Sequence, residues 1–512
     1  MRKPLWIALG ACFLAACTVA TSPPAIVPTP PAVPTATTTP PPAEPAATPP
    51  PPTAEPAQPT PPPAATAAPT TPPSPEVPTQ PPVPPTPTLI EPAGVSVKET
   101  TVTIPTYGYQ DALVPSNPDD PIYPYPHLDF DAVSDPVPKD YHAVVLENTY
   151  VQVVVLPELG GRILRWKDKT TGRVLTYQNP VIKPTYWGYR GWWLATGGLE
   201  WCLPVEEHGL NEYRPWRYAI GAGSVTVSDH EDRSGLDVSI QISLDAEHNG
   251  LVIRPAIRNA TPSPQKLQFW INAMLSLADN QASEQLRFIL PAGEVLVHSN
   301  DDSSLPPAGQ PMPWPVYQGR DLSSYANWRG YLGFFAHPAS AGFMGLYDTA
   351  AGQGVVRVFP RQAAPGAKFF GGKGLDPALW TDDGSSYVEM WGGWTPTFWD
   401  DGTLEPGREI GWTEYWYPVS GLPGGFDSAN GEAALRLDDR GNSVWVGIAT
   451  SRNLYDGRAV LYRGGQRVAE WVVTAGPGHP FGVLWPKAGA GEWSLQLLGA
   501  DGKVLAQMGG TP

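Results

Sequence analysis

From Val95 onward the chain alternates apolar and polar residues with a period of two, most plainly in Leu236-Asp237-Val238-Ser239-Ile240-Gln241-Ile242-Ser243-Leu244. Successive side chains of a strand point to opposite faces, so this pattern describes a strand with one face in a core and the other in water. Tyr150 to Leu156, Leu251 to Ile257 and Leu267 to Leu275 are further apolar, β-prone runs. Turn signals recur between such runs: Lys169-Thr170-Thr171-Gly172, Ala222-Gly223, Asn249-Gly250 and Asp383-Gly384. No 12-residue stretch carries a convincing 3.6-residue apolar period. The chain is therefore predicted to be all-β, a large sandwich or barrel.

What precedes this region cannot build a core. Thr18 to Ala93 holds 30 prolines in 76 residues, interleaved with Thr and Ala and without Lys or Arg. Extended polyproline II at roughly 3.1 Å per residue would make this tract a semi-rigid stalk of up to about 200 Å. Before it, Met1-Arg2-Lys3 is a basic start, Leu5 to Leu14 an apolar run too short to span a bilayer, and Leu14-Ala15-Ala16-Cys17 follows. The pattern resembles a bacterial lipoprotein signal, which implies cleavage before Cys17, lipid on that residue and anchorage on the outer side of the cytoplasmic membrane. An ordinary secretory signal is the alternative, and both imply export.

Charge and cysteine content narrow the partners. The formal net charge is −16, from 33 basic and 49 acidic residues, with no basic run in the folded part. That argues against nucleic acid and against an anionic membrane surface. With only Cys12, Cys17 and Cys202 there is no disulfide framework and no Cys/His zinc spacing, and no metal or other cofactor is expected. The 20 Trp and 20 Tyr are numerous enough to fill a core and also to supply stacking platforms for flat or CH-rich ligands.

A break falls at Pro418 to Asp427, after which short strands resume: Ala433 to Leu437, Ser443 to Thr450, Arg458 to Tyr462, Gln466 to Val473, Phe481 to Leu484 and Trp493 to Leu498. Their spacing suits a small immunoglobulin-like β-sandwich. The expected organisation is a signal over 1–17, a disordered stalk over 18–93, a large β unit over 94–425 and a small β-sandwich over 426–512. Ile104 to Lys139, rich in Pro, Tyr and Asp, is expected to wrap the large unit as irregular chain.

Val153-Val154-Val155-Leu156-Pro157-Glu158-Leu159-Gly160-Gly161-Arg162-Ile163 reads as strand, Gly-Gly turn and strand, and resembles the opening hairpin of galactose-mutarotase-like proteins. An ordered series of blocks extends the likeness: Asn179 to Pro184, Gly197-Gly198-Leu199-Glu200-Trp201, Gly319 to Ser323 with Asn327-Trp328, Val356 to Pro360, Tyr387-Val388-Glu389 and Trp412 to Pro418. Together they resemble the family DUF5107, a domain of unknown function in the galactose-mutarotase-like superfamily, over about 130 to 420. The resemblance implies a β-supersandwich with a carbohydrate site on one concave face. In epimerases of that superfamily a Glu removes the anomeric hydroxyl proton and a His protonates the ring oxygen. Other relatives cleave glycosidic bonds, and some only bind.

Three residues are candidates for acid/base chemistry. Glu200 follows two glycines, which let backbone approach a ligand, and sits among Trp187, Trp192, Trp193, Trp201 and Tyr213; satisfying buried backbone donors is its alternative role. Many members of the family this chain resembles carry Asn after this Glu-aromatic pair, where this chain has Cys202, so the resemblance does not carry a polar contact over to position 202. His208, in Glu206-Glu207-His208-Gly209, has carboxylates beside it that would raise its pKa into the range of a general acid. Period two places Glu389 on one strand face with Tyr387 and Trp391, suiting a base or nucleophile. Arg162, Trp201, Arg320, Asp321, Asn327, Trp328, Trp391 and Glu414 are candidate sugar-binding residues, although the 320–328 loop would equally serve as a cap.

The expected function is an extracytoplasmic, lipid-anchored enzyme acting on a glycoside or aldose, with Glu389 as base or nucleophile and Glu200 or His208 as acid. A glycosidase would hold two carboxylates at roughly 5–5.5 Å or roughly 6.5–9.5 Å, whereas an epimerase needs one Glu and one His across a single cavity. The alternatives are a glycan-binding lipoprotein without chemistry and an envelope protein with a degenerate site. The only membrane link expected is the lipid anchor.

Overall fold

A computed structural model describes residues 86–487 and 491–509. Cys17, its surrounding segment and most of the Pro-rich tract lie outside the described residues. Strands dominate, and the only helical elements among the described residues are four three-residue 3-10 turns. The alternation at Leu236–Ser243 is realised as a strand whose residues are buried and half-buried in turn.

Two large sheets carry the main unit. One has thirteen strands, and its middle runs Leu332–Ala336, Gly366–Gly371, Val388–Gly393, Trp270–Leu275, Leu199–Cys202, Arg162–Asp168 and Val151–Leu156 in spatial order. It is mixed, because Ser96–Gly108 pairs in parallel with Gln178–Thr185. The other has nine strands, centred on Leu236–Ser243, Leu251–Asn259, Glu414–Ser420 and Gln353–Val358. Both contribute to one core: Val153, Ile163 and Leu199 from the first meet Val227, Ile240 and Ile253 from the second. Burying aliphatic and aromatic side chains between two sheet faces is the main driving force for such a sandwich.

The expectation of irregular chain over Ile104 to Lys139 is corrected. Ser96–Gly108 and Ser134–Glu147 form long antiparallel partners, and only the intervening stretch is mostly irregular. Proline hides this in the sequence, yet Pro105 faces Pro138 across the ladder, so both missing N–H groups fall on one rung, as a non-hydrogen-bonded pair permits. The end of the Pro-rich tract is also ordered before residue 94. Leu89 is buried, the Ile90 carbonyl accepts from Tyr150 Oη and Asn453 Nδ2, and Ala93 N donates to Thr149 Oγ1.

Residues from Ser428 to Met508 form two four-stranded antiparallel sheets around their own core, which includes Leu435, Val446, Leu461, Trp471, Val483 and Leu497. Tyr417, Val419, Leu422, Phe426, Ala434 and Ala449 share a further apolar cluster that joins this sandwich to the nine-stranded sheet.

Glu414 belongs to the interior of the main unit. It accepts from Arg357 Nε and Nη2, both at 2.7 Å, and from the indoles of Trp412 and Trp416, both at 3.0 Å. Neither partner of this ion pair has any solvent exposure. A Cβ on Gly392 would collide with the Arg357 guanidinium, which explains the small residue there. Removing one member of such a pair leaves a buried charge alone. Glu414→Ala is therefore expected to cost about 3–5 kcal/mol in chemical denaturation. An unchanged midpoint would show that Arg357 finds another partner.

Candidate functional site

The strand Trp270–Leu275 is buried at every position, although only one face can point into the sandwich core. Ile271, Ala273 and Leu275 do so. Asn272 emerges on the other face, a fully buried amide in an apolar run. Val388–Gly393 repeats the arrangement, with Val388 and Met390 in the core and Glu389 and Trp391 opposite. The ladder register joins these outward residues into a row, since Phe335 pairs with Lys368, Lys368 with Trp391, Trp391 with Asn272, and Asn272 with Glu200. Glu389 lies in the next row, between Phe370 and Met274.

Two features bring Glu200 and His208 together. Gly197 and Gly198 both have positive φ, and a Cβ on Gly198 would strike the Ile163 carbonyl, so only glycine lets the strand with Glu200 lie this close to Arg162–Asp168. Glu207 and His208 then adopt φ of 43° and 70°, a left-handed conformation rare for such residues and a form of strain that gathers at functional sites. His208 is turned so that Nδ1 lies 2.5 Å from Glu200 Oε1, while its ring stacks on Trp193 at 4.0 Å. Nε2 makes no hydrogen bond among the described residues.

Glu200 is held on all sides. Trp193 Nε1 donates to Oε2 at 3.1 Å, Asn272 Nδ2 to Oε1 at 3.1 Å, and Arg162 Nη2 stands 3.5 Å from Oε2. Glu389 accepts from Trp391 Nε1 at 2.9 Å and from the same Asn272 amide at 3.4 Å. The two carboxylates are thus no farther apart than two hydrogen-bond lengths. Glu200, His208, Glu389 and Asn272 are each at most 5% exposed.

The environments divide the roles. Burial alone would raise the Glu200 carboxyl, but the charge and hydrogen bond of His208, with Arg162 and Trp193, hold it below the ordinary carboxylate range. Glu389 has the same burial and weaker compensation from Lys368 and His208, so its pKa is raised. Burial would lower His208, yet Glu200, Glu389 and Glu207 carry it above the ordinary imidazole value. Two carboxylates pushed apart in pKa beside an imidazole whose pKa is raised form an acid/base arrangement. Among the described residues no three His, Cys, Asp or Glu side chains are grouped to hold a metal.

Of the sequence-derived candidates, Glu200, His208, Glu389, Arg162 and Trp391 therefore come together. The others do not. Trp201 points into the sandwich core and donates to the Gly161 carbonyl, because it neighbours Glu200 and so faces the other way. Arg320 pairs with Asp302 at 2.6 Å, Asp321 caps Ser323, Asn327 donates to the Asp321 carbonyl, and Trp328 lies in the core. This loop is tied down by its own backbone and by Asp302 and Arg287, away from the Glu200 cluster. Glu414 is the core ion pair already described. Sequence reading missed Asn272 and Lys368, although a lone polar residue in Trp270-Ile271-Asn272-Ala273-Met274 and in Gly366-Ala367-Lys368-Phe369-Phe370 was the available signal.

Fold and cluster together define a two-sheet β-sandwich protein with a buried Glu–His–Glu constellation on the outer face of one sheet. The chain belongs to the family described as "Domain of unknown function (DUF5107)", which matches residues 118–419. Residues 428–507 match the second domain of YphG-like proteins. Among solved structures the chain is similar to a TPR-domain containing protein from Parabacteroides distasonis, at 25% identity and a TM-score of 0.56 over 64% of this chain. It spans 56% of that protein's length. It is also similar to a galactose mutarotase related enzyme from Lactobacillus acidophilus, with 12% identity and a TM-score of 0.39 over 54% of this chain and 97% of the other. A galactose mutarotase-like protein from Clostridium acetobutylicum gives 11% identity and a TM-score of 0.38 over 55% and 96%.

Proposed function

We propose that this protein is an exported, lipid-anchored carbohydrate-active enzyme with a mutarotase-like supersandwich, interconverting the anomers of an aldose by acid/base chemistry. The observation that carries the reading is the asymmetry of the two carboxylates around His208. Glu389 takes the proton of the anomeric hydroxyl while His208 gives one to the ring oxygen. The bond between C1 and the ring oxygen breaks, the aldehyde rotates, and the ring recloses with both protons returned. Glu200 keeps His208 protonated and oriented. Both oxygens of Glu200 are engaged by His208, Trp193, Asn272 and Arg162, which suits it poorly to be the nucleophile or water-activating base that a two-carboxylate glycosidase would set against Glu389, and epimerisation is favoured over hydrolysis.

The test is mutarotation of a panel of freshly dissolved aldoses, followed by polarimetry with the full chain. Equilibration should accelerate in proportion to protein concentration for at least one sugar. The second reading, a glycan-binding lipoprotein, is favoured by exposed rings on the described surface: Trp399 is 52% exposed, and Tyr186, 68% exposed, stacks on Phe130 at 3.5 Å. Glycan binding without acceleration for any sugar would establish that reading instead.

A further inference from the structure

Lys368 lies in the same cross-strand row as Asn272 and Glu200 and is 2% exposed. Its ammonium makes no hydrogen bond among the described residues and has no carboxylate within ion-pair reach. It rests instead on aromatic faces, 4.5 Å from the ring centres of Trp391 and Phe398 and 5.5 Å from that of Phe370. Cation–π attraction offsets part of the desolvation of an ammonium but supplies no acceptor for its three N–H groups. Buried charges in folded proteins are paired, and one that is not calls for an explanation.

The neighbours do not supply one. Glu389 is the carboxylate whose field Lys368 feels most, but its oxygens are engaged by Trp391 and Asn272. His298 is cornered by Phe335, Phe398 and Trp399, and burial with the nearby Lys368 charge holds it well below the ordinary imidazole range. A second unsatisfied group sits in the same row, since Asn272 Oδ1 is buried without a partner. The ligand-free site therefore offers an unpaired cation and an unpaired acceptor on either side of Trp391.

We infer that the sugar this site accepts carries a carboxylate, as in the hexuronic acids, and that Lys368 is the residue that receives it. The inference rests on the aldose reading above and adds the class of aldose. With the reacting centre between His208 and Glu389, a carboxylate-bearing substituent directed one strand beyond Trp391 meets the Lys368 ammonium. A charge-assisted bond there replaces the water the ammonium lost on folding. A neutral hydroxymethyl group leaves the charge unpaired, so the preference arises as much from rejecting the neutral sugar as from binding the acid.

The experiment is calorimetric titration of the full chain and of Lys368→Met with D-galacturonate and D-glucuronate, each beside its neutral parent sugar. Wild type should bind at least one uronate tenfold or more tighter than the parent, and Lys368→Met should erase that difference while leaving the neutral sugar's affinity within about threefold. Equal affinity of wild type for acid and neutral sugars, or a preference that survives in Lys368→Met, overturns the inference and leaves the aldose reading standing. Binding of no sugar in the panel overturns both.

Discussion

Glu389→Gln is expected to lower the rate of anomer interconversion by about 10²–10⁴-fold, with sugar affinity changed far less, because the amide keeps the shape but cannot take the proton. Polarimetry with calorimetry separates the two quantities, and retention of more than a tenth of the wild-type rate would remove Glu389 from the chemistry. The wild-type rate should follow a bell in pH. Its acid limb reports Glu389 and lies above the ordinary carboxyl value of about 4.3; its alkaline limb reports His208 and lies above about 6.5. The same substitution bears on stability, and the sign follows from linkage. A group whose folded pKa is raised contributes stability that is complete below its unfolded value and lost as pH rises through the folded one. Wild type thus gives up stability above about pH 4.3 through Glu389, and Glu389→Gln does not. The variant's melting temperature should exceed that of wild type at neutral pH and converge with it near pH 4, the trade expected where a buried charge is kept for function.

The sandwich was readable because period two survives in exposed strands. Leu236–Ser243 has one wet face, so its alternation is visible in the residues themselves. Strands covered on both faces lose that signal: Trp270–Leu275 and Val388–Gly393 are buried throughout and read as apolar runs. The site lies on the covered faces of these strands and of their neighbours Gly366–Gly371 and Leu199–Cys202, and Asn272 and Lys368 stand there as lone polar residues in apolar runs, whereas Glu200 and Glu389 are flanked by glycine and aromatic motifs. Local sequence also could not separate Glu389 from Glu414. Each lies beside Trp and Tyr in a strand, but one shares the Asn272 amide with the His208-bound Glu200 carboxylate, and the other faces the Arg357 guanidinium inside the core. The deciding partner comes from a distant strand. For the same reason the 320–328 polar groups, which look like a ligand loop in one dimension, are satisfied in three by their own backbone and by Asp302 and Arg287 from other segments.

Glu200→Gln tests whether the first carboxylate positions the acid. Arg162 would lose its carboxylate, a cost of about 3–5 kcal/mol for a buried pair broken on one side. His208 adds a part that depends on pH. Glu200, with its folded pKa depressed, stabilises above about pH 4.3 and loses that contribution as pH falls through the depressed value. His208, with its folded pKa raised, stabilises below about pH 6.5 and loses that contribution as pH rises through the raised value. Both contributions are complete only between those two pH values, so the gap in unfolding free energy between wild type and Glu200→Gln should be widest there. Without the Glu200 charge, burial becomes the dominant influence on His208. Glu389 and Glu207 remain to oppose it, without the Glu200 hydrogen bond. The imidazole then loses its proton at lower pH, and the alkaline limb of the rate profile moves toward acid. A Glu200 that only stabilised the fold would lower the melting temperature and leave that limb in place, whereas a positioning Glu200 moves both.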